Sequence, residues 1–99
     1  MDCDVAVLGG GPAGYTAAIR AAQLGGSVVC IESEPALGGT CLRVGCIPTK
    51  AWVQTAHGLH AARETFAKLG VSVTGAELDF ARPAAWKDWV VQQMTGGVA

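Results

Sequence analysis

The stretch Val5-Ala6-Val7-Leu8-Gly9-Gly10-Gly11-Pro12-Ala13-Gly14 constrains this chain more than any other. Its opening apolar run lacks polar alternation, as expected of a strand buried on both faces of a parallel sheet. Glycines and a proline then lead straight into an alanine-rich segment through Leu24. Ala13, Ala17, Ala18, Ala21 and Ala22 give that segment high helix propensity and a thin face that can lie close to a sheet. Gly25-Gly26 can close the helix with a left-handed cap. Ser27-Val28-Val29-Cys30-Ile31-Glu32 then reads as a second strand ending in an acid. Strand, glycine turn, helix and strand predict a right-handed βαβ unit, hence an α/β fold of the Rossmann type.

The glycine spacing has mechanical content. Gly9 permits the tight turn out of the strand, Gly11 leaves the backbone open to a phosphate, and Gly14 lets helix and sheet approach. The helix start at Pro12 and Ala13 presents unpaired amides and positive dipole potential to a pyrophosphate. Glu32, 18 residues beyond Gly14, ends the second strand where a carboxylate can accept hydrogen bonds from ribose hydroxyls. A tight turn without ligand is the plainer alternative, and the strand–helix context with Glu32 at this distance weighs against it. The motif by itself does not separate FAD from NAD, although its place near the first residue leans towards FAD.

Size and charge exclude several classes. Ninety-nine residues make at most one small domain, and doubly wound nucleotide-binding domains are usually larger. The net charge is −1, with Lys and Arg scattered, so no footprint for nucleic acid or an anionic membrane is present. The longest uncharged run, Val5 to Ile19, has 15 residues and is broken by Gly and Pro, too short to span a bilayer. Asp2 and Asp4 precede the first apolar run without a basic residue, unlike a secretory signal. The expectation is a soluble protein of the cytoplasm.

Four cysteines are present. Cys3 and Cys30 fall in or beside predicted strands, where a free cysteine serves as a small apolar residue. Cys41 and Cys46 lie in Gly38-Gly39-Thr40-Cys41-Leu42-Arg43-Val44-Gly45-Cys46-Ile47-Pro48-Thr49-Lys50 and have a context that points to chemistry. In a regular helix their Cα atoms would stand roughly 8–9 Å apart, beyond the limit of about 7 Å for an unstrained disulfide. They can bond only if the helix between them is distorted, and Gly45 and Pro48 supply the means. So short a loop gives little entropic stabilisation and suits a reducible switch better than a staple. Zinc is the competing reading, with His57 and His60 downstream. Their His-x2-His gap is shorter than usual, and both fall on a long helix whose apolar stripe packs elsewhere, so no metal ligand is assigned.

After the cysteines, Trp52, Ala56, Leu59, Ala62, Phe66 and Leu69 recur at helical steps and predict one apolar stripe on a long helix stopped by Gly70. Val71 to Thr74 is expected as a short strand. Asp79 is expected to cap another helix over Pro83 to Met94, leaving Gly96-Gly97-Val98-Ala99 outside it.

Fingerprint and cysteine segment together resemble the N-terminal region of the class I pyridine nucleotide–disulfide oxidoreductases. Leu42 and Ile47 are most similar to the branch of that family that oxidises dihydrolipoamide, with the glutathione- and mercury-reducing branches as runners-up. Two positions depart from the common pattern: Arg43 stands where asparagine is usual, and Thr49 where serine is usual. The resemblance implies that Gly9, Gly11, Pro12, Ala13 and Gly14 surround the FAD pyrophosphate, with Glu32 on the ribose and Gly39 and Thr40 against the same cofactor. It implies that Cys46 is the flavin-facing thiolate engaged in charge transfer and Cys41 the interchange thiol. Lys50 would lie near the flavin ring, where a cation tunes its electronics. Electrons would pass from dihydrolipoamide through the pair and FAD to NAD+. The same resemblance implies that residues 1–99 are the first portion of an FAD-binding domain, with NAD(P)-binding and dimerisation domains elsewhere in a homodimeric enzyme. A non-catalytic nucleotide-binding module is the rival reading for these residues alone.

Overall fold

The computed structural model describes residues 2–99. Its order is β1 (Val5–Leu8), α1 (Pro12–Gln23), β2 (Val28–Ile31), α2 (Gly39–Arg43), α3 (Cys46–His60), a π-helical turn (Ala61–Thr65), α4 (Phe66–Lys68) and α5 (Ala81–Val98). β1 and β2 pair in parallel, with Val5 opposite Val28 and Leu8 opposite Ile31. The Asp4 carboxylate accepts from the Ser27 amide at 2.8 Å, and the Gly9 amide donates to the Ile31 carbonyl at 2.8 Å, closing the pair at both ends. Parallel strands cannot be joined by a tight hairpin, so α1 makes the crossover and packs against both strands. The expected βαβ unit is therefore present, with a helical layer after it.

That layer is centred on the cysteine segment. α5 lies along α3, and α2 touches α1, α3 and α5. Leu42 in α2 and Ala51 in α3 are the buried apolar residues of the core, at 4% and 5% exposure. Pro48 in α3 and Pro83 in α5 are also buried. Burying a leucine contributes about 1.5–3 kcal/mol, so the best-packed point of these residues lies between and just after the two cysteines.

Several local expectations are corrected. The covered line of α3 runs through Pro48, Ala51, Thr55 and Leu59 and continues to Ala62 in the π-helical turn, while Trp52, Ala56, Phe66 and Leu69 of the predicted stripe are exposed. The π-helical turn explains part of the shift: the Phe66 amide donates to the Ala61 carbonyl, five residues back, and the extra residue rotates the helical turns after it. Gly70 does end the helical run, with φ +79°. Val71 to Thr74 is not a strand. Val71 and Val73 are half exposed and no strand among the described residues lies beside them, so β-branched alternation has nothing to pair with. α5 starts two residues before Pro83 and runs through Gly96 and Gly97 to Val98. Asp79 sits where a cap was expected, its carboxylate accepting from the Ala81 amide at 3.2 Å. No helix among the described residues is long and apolar enough to cross a membrane.

Candidate functional site

Two glycine clusters, 27 residues apart in sequence, meet at the end of β1. The Gly10 carbonyl accepts from the Gly38 amide at 2.8 Å, and both residues are buried. A methyl group on Gly39 would stand 2.7 Å from the Gly11 Cα, and Gly39 already has φ +59°. A methyl on Gly14 would overlap the Gly9 carbonyl oxygen. The backbone can make this junction only because these positions lack Cβ atoms. Gly11, by contrast, would meet nothing nearer than the Gly39 Cα at 3.8 Å, so its outer side stays open.

Pro12 opens α1 at a position where its missing N–H costs nothing. Ala13 and Gly14 follow in the first turn, where amides have no intrahelical partner. The Tyr15 amide is the first to turn inward, donating to the Gly11 carbonyl at 2.9 Å. The cradle therefore offers a helix N-terminus, an unobstructed glycine and an acid at its rim, a donor set suited to a dinucleotide pyrophosphate and ribose.

Glu32 supplies the acid. Its carboxylate accepts from the Gly10 amide at 2.7 Å and from the Glu34 amide at 2.9 Å. The Glu34 amide first, then that of Gly10, with Ser33 adding to both, hold the Glu32 carboxyl below its ordinary range. Sequence reasoning placed Glu32 at the strand end but missed its bond to the middle glycine of the fingerprint. Gly10 itself, singled out for no role, joins β1, Glu32 and the cysteine segment through its amide and carbonyl.

The cysteine segment is an elbow. α2 ends at Arg43, Val44 and Gly45 break the helix, and α3 starts at Cys46. The Gly45 amide donates back to the Thr40 carbonyl at 2.6 Å, and a methyl on Gly45 would stand 3.0 Å from that same oxygen. The break brings the Cα atoms of Cys41 and Cys46 to 4.5 Å, and their sulfurs are bonded. The distortion expected from the five-residue spacing is this change of helix. Cys41 is half-buried and Cys46 exposed. Cys3 and Cys30 are free, Cys30 with its thiol 3.9 Å from the Gly9 carbonyl oxygen.

Gly39 and Thr40 thus lie at the meeting of cradle and elbow. Lys50 stands one helical turn after Cys46, exposed, beside a cavity of about 310 Å³ between α3 and α5. Arg43 does not stand free beside the pair: its guanidinium lies 3.2 Å from the Glu34 carboxylate. Trp52, read from sequence as part of the helix stripe, instead stacks near Phe80 at 5.8 Å and under the Lys87 ammonium at 5.4 Å. The zinc alternative finds no group of three His, Cys, Asp or Glu side chains among the described residues.

Comparison with known proteins shows the family that the fingerprint and the cysteine segment resemble. The family described as pyridine nucleotide-disulphide oxidoreductase matches residues 3–95. The chain is 53% identical over 97 residues to dihydrolipoyl dehydrogenase 2, mitochondrial, of Arabidopsis thaliana, covering 98% of this chain and 19% of that protein. It is 50% identical over 95 residues to leghemoglobin reductase of Vigna unguiculata, covering 96% of this chain and 18% of the relative. With the mitochondrial dihydrolipoyl dehydrogenase of Homo sapiens the identity is 47% over 100 residues, covering 100% of this chain and 20% of the relative. The chain spans about a fifth of the length of the curated relatives it matches.

The cytoplasmic expectation is overturned by these relatives, several of which are named mitochondrial. That expectation rested on the acidic first residues, which argue against a secretory signal and carry no information about a mitochondrial address.

Proposed function

The chain belongs to the pyridine nucleotide-disulphide oxidoreductase family, and from that premise we propose that residues 1–99 are the opening portion of the FAD-binding domain of a homodimeric dihydrolipoyl dehydrogenase. The observation that carries the reading is the contact of the two glycine clusters. Gly38 and Gly39 are held against Gly10 and Gly11, so the bonded cysteines follow directly from the mouth of the dinucleotide cradle.

In this reading Gly9, Gly11, Pro12, Ala13 and Gly14 hold the FAD pyrophosphate, and Glu32, fixed by the Gly10 and Glu34 amides, accepts from the ribose. Gly39 and Thr40 would contact the same cofactor, and Lys50 would supply a positive charge that tunes its ring. One thiolate of dihydrolipoamide attacks the Cys41 sulfur, breaking the Cys41–Cys46 bond and releasing Cys46 as a thiolate. The second substrate thiolate then attacks the substrate sulfur of the mixed disulfide. Lipoamide leaves oxidised, and both cysteines are left reduced by the two electrons it gave up. Cys46 is the first residue of α3 and stands at the positive end of that helix. FAD, held by the cradle residues, would supply a two-electron acceptor for the reduced pair, and NAD+ would be the final acceptor.

The relatives support the dithiol class, since dihydrolipoyl dehydrogenases recur among them. The test is turnover of dihydrolipoamide with NAD+ by the flavin-loaded protein that carries this chain. Cys46→Ser is expected to retain flavin and lose at least about a thousand-fold in kcat, as an essential nucleophile or leaving group does. Turnover within a few-fold of the unsubstituted protein would refute the assignment.

A further inference from the structure

The segment between β2 and α2 has no backbone frame of its own. Among the described residues, no backbone–backbone hydrogen bond involves positions 33–37. Its far end is packed: Ala36 and Leu37 are half-buried, and the Leu37 side chain lies over Gly10. Its near end, Ser33, Glu34 and Pro35, is exposed. The cradle nevertheless depends on that near end. The Glu34 amide donates to the Glu32 carboxylate at 2.9 Å and stands first among the groups that hold that carboxyl below its ordinary range.

An amide on an exposed turn fixes a carboxylate only as firmly as the turn itself is fixed. Here the Glu34 side chain anchors the turn, its carboxylate meeting the Arg43 guanidinium at 3.2 Å. Arg43 belongs to the firm side of that contact. It ends α2 directly after Leu42, which is 4% exposed, and the next amide, that of Val44, donates to the Thr40 carbonyl at 3.0 Å. The Arg43 side chain is itself only 25% exposed. We propose that Arg43 is a positioning residue for the adenosine ribose of the cofactor. Paired with Glu34, it ties the turn after β2 to the elbow and so holds Glu32 where ribose hydroxyls can donate to it. The proposal rests on the FAD reading given above, in which Glu32 receives the ribose. An asparagine, the residue common at position 43 in the family, is several bonds shorter and uncharged, and cannot make this pair.

The experiment uses the flavoprotein that carries this chain, freed of flavin and titrated with FAD and with an FAD analogue whose adenosine ribose lacks both hydroxyls. The readout is the ratio of the two dissociation constants, in which changes common to both ligands, including loss of folded protein, divide out. The unsubstituted protein should prefer FAD at least about ten-fold, because hydroxyls donating to a carboxylate make charge-assisted bonds. Arg43→Asn and Glu34→Ala should each reduce that preference about three-fold, within the reach of an exposed ion pair. The double variant should reduce it no further, since both changes remove one contact. If the variants do not bind flavin, raising salt from about 0.1 M to about 1 M on the unsubstituted protein takes their place. The screening length then falls from about 10 Å to about 3 Å, and the preference should drop about two-fold. An unchanged preference in either single variant, or under salt where the variants fail, overturns this inference alone. So do additive losses in the double variant, and so does a rise at Glu34→Ala, which would make the Glu34 charge rather than its anchorage the active feature. No preference for FAD in the unsubstituted protein overturns the ribose role of Glu32 and this inference with it.

Discussion

Gly14 and Gly58 both lie inside helices, yet a methyl group at Gly14 would overlap the Gly9 carbonyl, whereas at Gly58 it would meet nothing within 4 Å. The contrast separates two regions. Around the cradle and elbow, backbone lies on backbone, and the absence of side chains is the structural element. In the α3–α5 layer, side chains pack on side chains with few buried residues, and glycine is only a weak helix former. Substitutions of the same kind should therefore have opposite signs in the two regions.

The largest effect is expected from Gly14→Ala. Relieving the overlap would force α1 away from β1, at a cost of at least about 3 kcal/mol, the upper range for overpacking. Urea unfolding of the flavin-loaded protein, with flavin retention scored in parallel, measures it. A destabilisation under about 1 kcal/mol would show that the turn can yield and the contrast is overstated.

Gly39→Ala comes next. Its φ of +59° and the approach to Gly11 together cost about 2 kcal/mol, and the strain falls on the contact between cradle and elbow. Flavin affinity should fall while the cysteines still form their disulfide, as a thiol count under native conditions would report. Undiminished flavin binding would detach the elbow from the cradle in the account.

The sign should reverse at Gly58→Ala, where a better helix former enters open space. Stabilisation of about 0.5–1 kcal/mol in the same unfolding assay is expected.

The smallest effect concerns Glu32→Gln and is legible only through pH. The carboxyl is held below its ordinary range by the Glu34 and Gly10 amides, so the charged form is favoured on folding. Its stabilising contribution is present above the ordinary carboxylate pKa of about 4.3 and is lost as pH falls through the lower folded value. Unfolding curves of the two proteins should differ at pH 7, the glutamate form being the more stable. They should converge at low pH. A gap independent of pH would assign the effect to shape rather than charge.

The βαβ unit was legible because glycine spacing and apolar runs are local signals, and β1, α1 and β2 follow them closely. The cysteine elbow was legible through a distance argument: five residues in a regular helix cannot close a disulfide, so a break had to lie between Cys41 and Cys46. The contact between Gly10 and Gly38 was hidden, because nothing local tells which two glycines will meet. The helix stripe was misplaced because Trp52 turns out to Phe80 and Lys87, a partnership made by residues far along the chain. The π-helical turn at Ala61–Thr65 leaves no mark in a pattern built on a constant repeat. Val71 to Thr74 failed as a strand for want of a neighbour, which a propensity scale does not count.

The central claim is that the Cys41–Cys46 bond is an electron store in contact with the flavin held by the cradle. Anaerobic reductive titration of the flavin-loaded protein tests it most directly. The unsubstituted protein should take up two more electrons per flavin than the Cys46→Ser variant, because it alone has the Cys41–Cys46 bond to reduce. Equal uptake by both proteins would contradict the claim.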